Sequence, residues 1–178
     1  MKNIFIASLM AFSASAYAGP NQLEVIGLKP DISTQAEVER AKDEFGYVIG
    51  GYKLRCNPEY IDDRLSQFLC VTGEGAGSQD IATGSNEKTS NTEIHASLVK
   101  GFTKKFGAPT EAGNLPLSNG FGAGFSSNIV MWKDKKGNKL TLISVATKIG
   151  EGGLVLESAQ LLRKKQQEKS AAEQQRKF

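Results

Sequence analysis

The sequence predicts an α+β fold: an antiparallel sheet with two amphipathic helices on one face and a helical C-terminal tail. Three observations carry this. Two capping boxes, Thr34-Gln35-Ala36-Glu37 and Ser90-Asn91-Thr92-Glu93, each open an amphipathic run. Each run is followed by short segments rich in β-branched, aromatic and apolar residues. The resulting order along the chain is helix, strands, helix, strands.

In each box the hydroxyl takes an otherwise orphaned backbone N–H, and the glutamate three residues on reaches back to the cap. Val38, Ala41 and Phe45 then fall on one helical face, as do Ile94, Leu98, Phe102 and Phe106 with Val99 beside them. Both runs close on Phe-Gly. Gly46 and Gly107 suit the left-handed position past a helix end, and Pro109 stops the second helix from continuing. Either one helix-then-strands unit occurs twice in tandem, or two common capping devices coincide.

Strands are expected at 47–49, 52–56 and 65–72 after the first helix, and at 127–132, 139–147 and 153–161 after the second. The run DKKGN, with Gly137 available for positive φ, turns the chain between 127–132 and 139–147. These units span about 23–72 and 91–161 of a single domain covering 19–161. Between them 73–90, with Ile81 as almost its only apolar residue, reads as a linker or long loop. A second glycine-rich stretch, 113–128, carries Leu115, Leu117, Phe121 and Phe125. These four either tuck under the sheet or face a partner, which makes them the candidate partner contacts.

The first 18 residues have one basic residue, Lys2, an uncharged apolar run from Ile4 to Phe12, and small residues at Ala16 and Ala18. That is the pattern of a secretory signal peptide cut after Ala18. The apolar run falls well short of the roughly 20 residues a membrane-spanning helix needs. The expected product is periplasmic or secreted, with no membrane span. The chain has a formal charge of +3, and residues 161–178 hold six Lys/Arg against two Glu. A near-neutral body with a basic tail (162–178) is a poor nucleic-acid binder. The tail has strong helix formers and neither Gly nor Pro, so it reads as a solvated helix, or as an electrostatic tether to an anionic surface.

Cys56 and Cys70 are the two cysteines, and an even count in an exported chain predicts a disulfide between them. His95 is the chain's one histidine and has no Cys, Asp or Glu at ligand spacing, so neither a metal centre nor a Cys–His nucleophile is expected. Asp62 and Asp63 are adjacent and point apart, and Glu37 and Glu39 do not face each other on a helix. GEGAG (73–77) and GFGAG (120–124) lack the context of a phosphate loop, and no G-x-S-x-G elbow is present. No catalytic residue and no cofactor is expected.

The run GLKPDISTQAEVERAKDEFG, 27–46, resembles the opening of the small outer-membrane-assembly lipoproteins and their relatives, in which a glycine, a Thr-x-x-Glu-Val box and a closing glycine frame a helix before a β-hairpin. The tandem of such units resembles the β-lactamase-inhibitor-protein fold. Unlike those lipoproteins, this chain has no cysteine at the expected cut, and no functional residue of either family maps onto it. The resemblance and the missing catalytic set imply an exported, non-catalytic binding module that contacts another envelope protein through its free sheet face or through 113–128. The alternative is an exported hydrolase whose site assembles from scattered residues such as His95, Asp62 and Ser126.

Overall fold

The computed structural model describes residues 19–43, 46–72, 79–80, 90–118, 124–145 and 152–175. Its elements are α1 (Gln35–Arg40), β1 (Tyr47–Ile49), β2 (Tyr52–Ile61), β3 (Arg64–Thr72), β4 (Gln79–Asp80), α2 (Asn91–Phe106), β5 (Glu111–Ser118), β6 (Gly124–Lys133), β7 (Lys139–Val145), β8 (Gly152–Glu157) and α3 (Ala159–Gln175). The strands form one antiparallel sheet in the order β1-β2-β3-β8-β7-β6-β5, with β4 paired to β2. The fold is α+β. Each half of the chain runs from a capped helix into a meander, and the two meanders meet where their last strands, β3 and β8, pair.

Both capping boxes form. Glu37 N donates to Thr34 Oγ1 while Thr34 N donates to Glu37 Oε2, and Ser90 and Glu93 make the same reciprocal pair. Ile94, Leu98, Phe102 and Phe106 are all buried, and α2 ends at Gly107 (φ 84), whose N–H donates to Thr103 O. The first helix departs from expectation. α1 is capped at Ala41 and does not reach Gly46. Asp43 and Gly46 exchange backbone hydrogen bonds in a turn that feeds β1. Gly46 (φ 135) answers a different need: a Cβ there would stand 2.7 Å from Leu54 O on β2. The repeated Phe-Gly is thus a helix stop once and a close strand approach once, with Phe45 outside the described residues.

The sheet is also longer than its apolar segments suggested. β2 continues through Pro58 to Ile61; among the described residues β1 pairs only Tyr52–Leu54, so no strand pairs the other edge of β2 at Pro58, the setting in which a strand tolerates proline. Asp62 and Asp63, with φ of 51 and 59, make the two-residue turn into β3. Within the expected 73–90 linker, Gln79 and Asp80 form β4 on Lys53 and Tyr52. The expected glycine-rich loop at 113–128 is mostly a hairpin, with 113–118 paired to 124–129. Backbone ladder bonds need no apolar side chain, so glycines and serines can enter a strand when a partner strand is present. The last strand stops at Glu157 and not at 161, because Ser158 Oγ accepts from Leu161 N and starts α3.

One core holds both halves together. Val38 of α1 and Ile94, Leu98, Phe102 and Phe106 of α2 pack with Tyr47, Phe68, Cys70, Trp132, Leu142 and Leu154. Both helices therefore lie on one face of the sheet. Leu23, Val25 and Leu28, in an irregular segment that offered no periodic signal, are also buried there. Trp132 Nε1 donates to Gly107 O at 3.0 Å, tying the end of α2 to β6.

Asp134 organises the β6–β7 turn. Its carboxylate accepts from the backbone N–H of Leu23, Lys136 and Asn138 and from Asn138 Nδ2, and Asn138 Oδ1 accepts from Ala159 N at the start of α3. The buried acid is satisfied, as burial requires.

Candidate functional site: the helix-free face of the sheet

Side chains alternate between the two faces of a strand. On β3, Phe68, Cys70 and Thr72 turn inward, so Gln67, Leu69 and Val71 turn outward; Leu69 is 40% exposed and Val71 38%. Pairing register extends this into two rows across four strands. One runs Leu69, Val155, Thr141, Met131 and the next Val71, Gly153, Ile143, Ile129. All of these apart from the two exposed residues are half-buried. The result is a contiguous apolar surface opposite α1 and α2, spanning from β3 to β6 three strand spacings, or about 14 Å.

The next row outward is polar. Gln67, Glu157, Lys139 and Lys133 lie side by side, with Glu59 beyond Gln67 on β2. Gln67 Nε2 donates to Glu157 Oε1, and Lys133 pairs with Glu111. α3 leaves β8 beside this row. Leu162, Arg163 and Gln166 of α3 line a groove of about 230 Å³ with Lys139 and Glu157, and Lys164 and Lys165 form ion pairs with Asp62 and Glu59. The basic tail, as far as Gln175, is thus a helix anchored to the domain at its first turns.

The disulfide between Cys56 and Cys70 is present, and the two cysteines are direct register partners on β2 and β3. Of the candidate contacts in 113–128, Leu115 pairs in register with Ser127, and Leu117 with Phe125, in the β5–β6 hairpin. Phe121 lies outside the described residues. Sequence reading did not find Leu69, Val71, Val155, Ile143, Ile129 and Met131. The alternation within each strand was visible, but which strands stand side by side was not.

The residues of the hydrolase alternative do not converge. Asp62 is held by Lys164 in the β2–β3 turn, whereas Ser126 is on β6, which is separated from β3 by about three strand spacings. His95 sits at the start of α2 beside Asn128 and Asn114 on the helix-bearing side. Burial holds its imidazole below the ordinary value of 6.5, opposed by a hydrogen bond to the Leu142 backbone. Tyr60 is a poor proton donor or acceptor, its hydroxyl pushed up to about 12 chiefly by burial. Among the described residues no group of three or more His, Cys, Asp or Glu is placed to hold a metal ion. No helix among them is long and apolar enough to cross a membrane.

Comparison with protein-family models, curated proteins and solved structures returns no match for this chain.

Proposed function

We propose that this chain is an exported, non-catalytic binding module that contacts another envelope protein through the face of its sheet opposite α1 and α2. The observation that carries the reading is the apolar surface formed by Leu69, Val71, Val155, Ile143, Ile129 and Met131, with Leu69 and Val71 the most exposed. Contiguous exposed apolar surface rimmed by polar residues marks interaction sites on folded proteins. The signal-peptide pattern at 1–18 and the Cys56–Cys70 disulfide support export to an oxidising compartment.

Replacing Leu69 and Val71 together by Asp tests the reading. Both side chains reach solvent and lie outside the core, so the domain should still unfold cooperatively at a moderately lowered midpoint, while co-purification of the envelope partner identified by mass spectrometry with the wild-type chain should be lost. A partner retained at wild-type yield rules out this face. A collapse of the midpoint would show that these residues support the fold instead.

A further inference from the structure

The same face suggests what kind of partner it takes, an inference that rests on the binding reading above. We propose that its occupant is an amphipathic helix of another protein whose apolar stripe is flanked by acidic residues. The stripe lies over the two apolar rows, and an acidic side chain enters the groove between Arg163 and Lys139. Three features of the surface lead there.

The first is shape. An open sheet face buries itself most simply under a helix, as the opposite face of this sheet already does with α1 and α2. Crossing about 14 Å of sheet takes roughly ten helical residues at 1.5 Å each. The second is adjacency. Val155 and Thr141 of the apolar row are each two residues along their strands from Glu157 and Lys139 of the groove, so the apolar floor runs directly into the polar pocket.

The third is charge. Arg55 on β2, in register with Val71, is exposed, as are Lys139 and Arg163 at the groove, and among the described residues none of the three makes a salt bridge, Lys139 acting on Glu111 only as a weaker charge behind Lys133. The nearby carboxylates are already engaged, Glu59 by Lys165, Glu111 by Lys133 and Asp62 by Lys164. Glu157 is the remaining acid on this rim, and it accepts from Gln67 Nε2 while standing in register with Lys139. What the face leaves unmatched is positive, so a flanking acid is favoured over a flanking base.

The test titrates the purified full chain, by fluorescence anisotropy, with two labelled synthetic helical peptides that share one Leu stripe and carry either Glu or Lys beside it. The Glu peptide should bind about tenfold tighter or more, and the gap should close as salt is raised. Arg163→Glu combined with Lys139→Gln should remove or reverse the preference, since both side chains are exposed and their replacement leaves the core intact. Leu69→Asp with Val71→Asp should remove binding of both peptides. Equal affinity for the two peptides, lost in the Leu69/Val71 variant, would overturn the acidic partner while leaving the binding reading in place. No binding of the Glu peptide, or a preference that survives the Arg163/Lys139 change, would overturn it as well. Concentration-dependent self-association abolished by the Leu69/Val71 change would make a second copy of this chain the occupant instead.

Discussion

Gly152 lies directly against Asn91: a Cβ at Gly152 would stand 2.3 Å from Asn91 Oδ1. Asn91 is the first residue of α2 and is buried, its Oδ1 accepting from Thr72 Oγ1 at 2.7 Å and its Nδ2 donating to Ser144 Oγ at 3.0 Å. One amide thus ties the start of α2 to β3 and β7, over the strand β8 that lies between them. The added methyl of Gly152→Ala would also meet Ile143 O at 2.4 Å, which is backbone and cannot step aside. Overpacking of this kind costs about 1–3 kcal/mol. Chemical denaturation of the variant should show a loss in that range, and an unchanged midpoint would mean that β8 is displaced from this position.

The capping boxes allow a paired measurement. Thr34→Ala and Ser90→Ala each remove the acceptor for the backbone N–H of the glutamate three residues on, at a cost of about 1 kcal/mol apiece. Ser90 opens the 16-residue helix that carries four buried apolar residues of the core. Its loss should therefore report on global unfolding in denaturant. Hydrogen exchange over α2 in Ser90→Ala should accelerate together with the rest of the domain, and acceleration confined to 90–93 would show only local fraying.

The Cys56–Cys70 bridge joins residues 14 apart. Closing a loop of that size stabilises a fold by about 3 kcal/mol in the chain-entropy model. Thiol labelling of the purified protein under denaturing, non-reducing conditions should give no signal, and Cys56→Ser with Cys70→Ser should lower the denaturation midpoint accordingly. Labelling of both cysteines in the unreduced wild type would contradict the pairing.

His95 sets a direction for the dependence on acid. Desolvation lowers its folded-state value below 6.5, and Nε2 is buried without a hydrogen-bond partner among the described residues. Below pH 6.5 the unfolded chain takes up a proton that the folded chain resists, so stability falls as the pH drops through 6.5 and levels off once the folded imidazole also titrates. His95→Gln should flatten this part of the stability profile, and the ring proton resonances of the wild type should titrate with a midpoint below 6.5. Identical acid profiles for wild type and variant would remove His95 as the source.

Much of the helical layer was legible because its signals are local. A cap and its glutamate are three residues apart, and an apolar stripe repeats every three or four, so Thr34, Ser90 and the row from Ile94 to Phe106 could be read without knowing what they pack against. The disulfide was legible by count, there being two cysteines in the chain. The hairpin at 113–129 was not, because its glycines and serines carry no strand propensity and only the partner strand makes them one.

Amino-acid sequence alone determined where α2 starts and stops, which of its faces is buried, and that the fold would be α+β; each of these depends on neighbours within a few positions along the chain. Tertiary structure alone decided that β3 pairs with β8, some eighty residues later, and so that Leu69 and Val155, or Val71 and Ile143, share one surface. Side-chain alternation says only that a residue faces one of two sides. Which distant strands stand together on that side is set by register, and register is settled by the core that both halves bury in common.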